Sequence, residues 1–173
     1  GVTSLGGLVL SKSIKTAGDK FDKAIVDYVK QKFNLLIGTR TAEEVKIDIG
    51  TAVQLEKEIT TQVRGRDQIN GLLSSIELTS EDAREAIKEP LKEIAEGLKS
   101  ILEAMPADLA GDIVENGIML TGGGALIRGL DDYLSKIVKL PVFVAEEPLL
   151  AVALGTAKAL EEMDLLQNLS EYE

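Results

Sequence analysis

The chain has 173 residues, of which 45% are hydrophobic and only 3% aromatic, and its formal net charge is −10. That length suits one good-sized domain or two small ones side by side, with an aliphatic core. The absence of cysteine and histidine excludes disulfides, thiolate metal sites and a Ser-His-Asp arrangement, and so acidic a surface argues against nucleic acid and against plain attraction to anionic lipid.

No apolar run approaches the roughly 20 residues that span a bilayer. The start, "GVTSLGGLVLSKSIK", lacks the basic region and cleavage site of a signal peptide. The expectation is a soluble, cytoplasmic protein.

In chain order, the Gly6-Gly7 pair between two Val/Leu/Ile-rich runs in residues 2–15 predicts a β-hairpin. Phe21, Ile25, Tyr28, Val29 and Phe33 recur at helical spacing, with Asp19 expected as N-cap. Thr41 and Glu44 match a capping box for a second helix that stops at Gly50. Residues 57–64 and 71–78 read as two strands about the turn "RDQING".

Thr79 or Ser80 is expected to cap a short helix over 81–88, and Pro90 to open a longer one to about 104. "GIML" at 117–120 is a strand running into Gly122, Gly123 and Gly124. Behind it a helix should bury Leu126, Leu130, Leu134, Ile137 and Val138. "PVFVA" is a further strand, and "PLLAVALGTAKALEEM" a final helix with Pro148 in its first turn; the acidic end "LSEYE" should fray. The class is α/β, with residues 18–85 readable as an inserted smaller lobe.

Few residue groups suggest chemistry. The run Gly122–Gly124 is no Walker loop, which needs Lys-Ser/Thr where Ala125-Leu126 stand. Nor is it a dinucleotide fingerprint, which needs a glycine where Ile127 stands. It is either a structural turn or bare backbone at a helix start, against which a planar ring or an anion can lie.

Glu43 and Lys46, three apart on a helix, are either a surface ion pair or a carboxylate and an ammonium set for sugar hydroxyls. Glu44 and Asp48 form a second acidic row. Asp19 and Asp22 are expected to serve the helix start, and Arg64 and Arg66 to flank a solvated turn.

Four stretches together are more specific. "SLGGLVLSKSIKTAGDKFDKAIVDYV", "GTRTAEEVKIDIG", "LTGGGALIRGLDDYL" and "EEPLLAVALG" occur in an order that resembles the MreB family of bacterial actins over nearly the whole chain, least at residues 52–78. The resemblance implies the actin and heat-shock-chaperone ATPase (ribonuclease H-like) fold, a mixed sheet flanked by helices, of which this looks like the second half. Residues 1–17 and 86–173 would be its large subdomain and 18–85 the small α+β lobe. The family's Asp-x-Gly-Gly-Gly-Thr-Thr phosphate loop precedes such a hairpin, so Gly1 is expected to be the edge of a fragment.

By that resemblance Gly122, Gly123, Gly124, Ala125 and Leu126 would carry the adenosine, with Glu43, Glu44, Val45 and Lys46 on its ribose side. The cofactor would be ATP with Mg²⁺, whose ligands would lie mostly in the other half. No catalytic or metal residue is expected in this chain, and no ATP hydrolysis by it alone. The implied partners are further copies in a filament, the other half of the protein and the cell-wall synthesis machinery. Membrane contact would run through the other half only, with filaments at the inner face of the membrane. Two alternatives stand beside this: another actin-like ATPase, such as a plasmid-segregating filament, a division protein or a chaperone nucleotide domain, and a nucleotide-independent interaction domain.

Overall fold

The computed structural model describes residues 1–4 and 6–161. The expected hairpin forms from β1 (Val2–Ser4) and β2 (Gly7–Leu10), antiparallel, with a bulge between Val2 and Thr3. Helix α1 (Gly18–Phe33) follows, then the short β3 (Leu35–Leu36) and helix α2 (Thr39–Ile49).

Both helices start elsewhere than expected. The N-cap of α1 is Ala17, leaving Asp19 in the first turn. Extended Gly38 caps α2, its carbonyl taking the Ala42 N–H at 3.1 Å, so Thr41 is already inside the helix and caps nothing.

β4 (Thr60–Asp67) and β5 (Leu73–Thr79) pair in strict antiparallel register, and β3 adds to the outer edge of β4 through Leu35↔Asp67 and Leu36↔Arg66. That extra pairing carries β4 past the expected end, so Arg64 and Arg66 lie within the strand rather than beside the turn. Asp67 Oδ1 instead accepts the Ile69 and Asn70 amides and closes the turn itself.

Helix α3 (Ser80–Ala86) is capped by Thr79, with Asp82 completing the reciprocal capping box. Helix α4 (Lys88–Ala104) starts two residues before Pro90; Leu91, Ala95 and Ile101 form its buried stripe. The short α5 (Ala110–Asn116) was not announced by any periodicity and buries none of its residues.

β6 (Ile118–Leu120) and β7 (Val142–Val144) are parallel and bracket helix α6 (Leu130–Val138). Leu126 is 56% exposed, against expectation, because the glycine run turns as a tight 3-10 helix (Gly123–Leu126) before α6 begins. Helix α7 (Ala151–Glu161) begins three residues beyond Pro148. The expected frayed end lies outside the described residues.

The described strands thus form three small sheets, order β1-β2, β3-β4-β5 and β6-β7. One aliphatic core runs through both stretches of the chain, joining Phe21, Ile25 and Val29 of α1 with Val45 and Ile49 of α2, Leu91 of α4 and Leu134 of α6. On β6 and β7 the register partners Met119 and Phe143 stand together in solvent.

Asp82 ties α3 back to α1. Besides its cap, it accepts from Lys32 Nζ at 2.6 Å and from Tyr28 Oη at 2.9 Å. Burial alone would raise its pKa, but the hydrogen bonds from Lys32, the Thr79 amide and Tyr28 together hold it below the usual carboxylate value. A depressed folded pKa contributes stability above the unfolded value of about 3.9, which is lost as pH falls through the folded one. Asp82→Asn should therefore cost about 1–3 kcal/mol at pH 7. Urea unfolding across pH should show that gap narrowing below about pH 4.

Candidate functional site

The residues singled out in α2 sit on different faces. Val45 is buried and Glu43 is exposed. Glu44 makes only an exposed i,i+4 contact with Arg40 at 3.3 Å. Lys46 does not pair with Glu43. Its ammonium lies 2.8 Å from Asp22 of α1, both side chains being largely out of water (14% and 6% exposed).

Asp22 is thus no helix-start residue. It is the internal counter-ion of Lys46, 24 positions away, a separation no local spacing rule covers. Lys46 in turn lies over the start of α1: a carbon added at Gly18 would come within 3.4 Å of its ammonium.

The glycine run is anchored at both ends. Gly122 adopts φ +82°, which a side chain would strain, and its amide donates to Pro148 O at 2.7 Å. At the other end Ala125 packs into the interior while Gly124 has open space where a side chain would be. Gly124 and Ala125 line a cleft of about 300 Å³ together with Ala17, Gly18, Phe21 and Leu134. Its size is at the low end for small-molecule sites.

The structure places Lys46 beside Gly18, which lines this cleft with Gly124 and Ala125, but Lys46 itself is not part of the lining. Gly122, Gly123, Leu126 and Glu43 do not line this cleft. Ala17 and Gly18 were missed by the sequence reading; the small pair directly before a strongly amphipathic helix was the available signal.

A larger, more open cleft lies on the far side of Thr16, about 520 Å³. Two of its lysines are already engaged, Lys12 with Ser100 and Lys20 with Glu93 at 2.7 Å. The Lys20 ammonium, followed by the Thr16 hydroxyl, holds the Glu93 carboxyl below its usual value. Lys15 and Glu96 also line it, and it includes none of the residues singled out in α2 or the glycine run.

Among the described residues no group of three or more His, Cys, Asp or Glu gathers to hold a metal ion, and no helix is long and apolar enough to cross a membrane.

Comparison with solved structures places this architecture. It superposes on MreB 5 of Spiroplasma citri bound to AMPPNP with a TM-score of 0.89, at 38% identity, covering 98% of this chain and 50% of that one. A MamK double helical filament matches with a TM-score of 0.66 at 18% identity over 79% of this chain and 42% of that one, a likeness of fold alone. The fold is actin-like.

The MreB/Mbl protein family model matches residues 1–168. The cell shape-determining protein Mbl of Bacillus cereus is 46% identical over 165 residues, 95% of this chain and 50% of its own length. The cell shape-determining protein MreB of Escherichia coli is 44% identical, over 95% of this chain and 47% of its own. The chain belongs to the MreB/Mbl family of cell shape-determining proteins. It spans about half the length of the curated relatives it matches.

The buried pair gives a direct test. Lys46→Ala should leave Asp22 as an uncompensated buried charge and cost about 3–5 kcal/mol, whereas replacing both partners, as Asp22→Asn with Lys46→Met, should recover much of that loss. Glu43→Ala should stay within about 0.5 kcal/mol. Equal losses for Lys46→Ala and Glu43→Ala in urea unfolding would contradict the pairing.

Proposed function

We propose that this chain is the nucleoside-holding half of an MreB-like bacterial actin, closing on ATP with Mg²⁺ together with the remaining half of the protein. The observation that carries this reading is the cleft in which Gly124, Ala125 and Gly18 offer backbone on two sides while Lys46 stands beside Gly18. The purine would enter the cleft at Gly124 and Ala125 and extend over the bare peptide planes of Gly122 and Gly123 and over Leu126, which lie outside its lining. The ribose side would face α2, where Glu43 and Lys46 supply acceptor and donor and Glu44 and Val45 complete the turn.

The AMPPNP bound to the Spiroplasma relative supports a nucleotide of this class. We assign no Mg²⁺ ligand and no water-orienting group to this chain, so it would not hydrolyse ATP without its other half. Residues 1–17 and 86–173 would act as the large subdomain and 18–85 as the small lobe.

Such a protein would self-associate into filaments, as the MamK relative does, in the cytoplasm at the inner face of the membrane. Membrane contact would run through the other half, and the filaments would maintain rod shape by organising cell-wall synthesis.

The test is a titration of a fluorescent ATP analogue into the intact native polypeptide that carries these residues. Gly124→Val, whose Cβ would meet no atom within 4 Å, should weaken binding more than tenfold while leaving the melting temperature nearly unchanged, since one exposed backbone substitution shifts stability by about 1 kcal/mol or less. Glu43→Ala should weaken it less. Binding by the parent that is unaffected by Gly124→Val would remove the glycine run from the site; no binding by the parent would favour a nucleotide-independent interaction domain.

A further inference from the structure

Helix α2 ends against the segment that follows the glycine run. Arg128 Nη1 reaches the carbonyls of Ile47 at 3.2 Å and Gly50 at 3.4 Å, at the helix end where orphan carbonyls collect and a cation is favoured. The backbone of the same residue is engaged too. Arg128 O accepts the Ala52 amide at 2.8 Å and lies 3.2 Å from the hydroxyl of buried Thr51, and Thr51 and Arg128 form a parallel bridge.

Directly after it, Gly129 is at φ +65° with Val53 so close that an added carbon would meet a methyl at 2.4 Å. This seam is held from side chain and main chain at once. It lies four residues beyond Lys46 on one strand of chain and two residues beyond Leu126 on the other. Arg128 is also the only cation between Lys99 and Lys136.

We propose that Arg128 is a positioning residue: by capping the end of α2 from the segment behind the glycine run, it fixes the spacing between the two stretches that hold the nucleoside. It touches no ligand. Resting on the nucleotide reading above, this adds a side-chain coupling to the main-chain bridge and the core contacts that already join the two stretches. Both carbonyls are taken by the one Nη1 nitrogen, held on a stiff planar group that lysine's flexible stem replaces only in part.

The experiment compares affinity for the fluorescent ATP analogue in the intact polypeptide for the parent, Arg128→Gln and Arg128→Lys. A core variant that makes none of the seam's hydrogen bonds, Val63→Ala in β4, serves as a stability control. Arg128→Gln should weaken binding about tenfold, the equivalent of one lost hydrogen bond to a charged group, with Arg128→Lys between the two. Val63→Ala should lower the melting temperature without changing affinity.

Parent-like affinity in Arg128→Gln overturns the coupling and leaves the nucleotide reading standing. An affinity loss in Val63→Ala equal to that in Arg128→Gln shows a general effect of stability and also overturns it. A parent that does not bind the analogue overturns the nucleotide reading, and the coupling with it.

Discussion

A carboxylate taken out of water must find a cation or remain a liability of several kcal/mol. Asp22 meets that demand with Lys46, and the rest of the arrangement follows. The two residues sit on different helices, so their contact fixes how α1 is rotated against α2. With that rotation set, Phe21, Ile25 and Val29 face Val45 and Ile49 in one aliphatic core, and Gly18, one turn before Asp22, comes to rest under the lysine. Core and candidate site are two sides of one helix pair.

The seam at the end of α2 is the second constraint. Arg128 and Thr51 join helix α2 to the stretch that carries the glycines. The glycine run is also tied to the turn at Pro148 through the Gly122 amide. The cleft is bounded by pieces each held from more than one direction, although its lining comes from stretches more than a hundred residues apart.

What the sequence announced was whatever a one-sided pattern can announce. α1 was legible because its buried residues recur every three or four positions, and the Thr79 cap and the hairpin at Gly6-Gly7 because their turn chemistry is local. Helix starts were misplaced where a glycine or alanine backbone, rather than a side chain, does the capping, as at Gly38 and Ala17. α5 escaped because it buries nothing and so leaves no period.

The partner of Lys46 was misjudged because local spacing favoured Glu43, while the real counter-ion is separated by a whole helix and a strand. Arg128 passed unremarked for the same reason. From residues alone the glycine run was open between turn and ligand surface. The motifs shared with the bacterial actins singled it out, and in the fold Gly124 shares a cleft with Gly18, beside which Lys46 stands.

The run Gly122, Gly123 and Gly124 has no side chains to remove. A mutational survey that proceeds by truncation to alanine would pass over it and report instead the residues that merely hold it up. Only substitutions that add atoms can interrogate such a surface. Natural variation there is limited unevenly: at Gly122 the positive φ rather than lack of room disfavours a side chain, whereas a carbon added at Gly124 meets nothing within 4 Å.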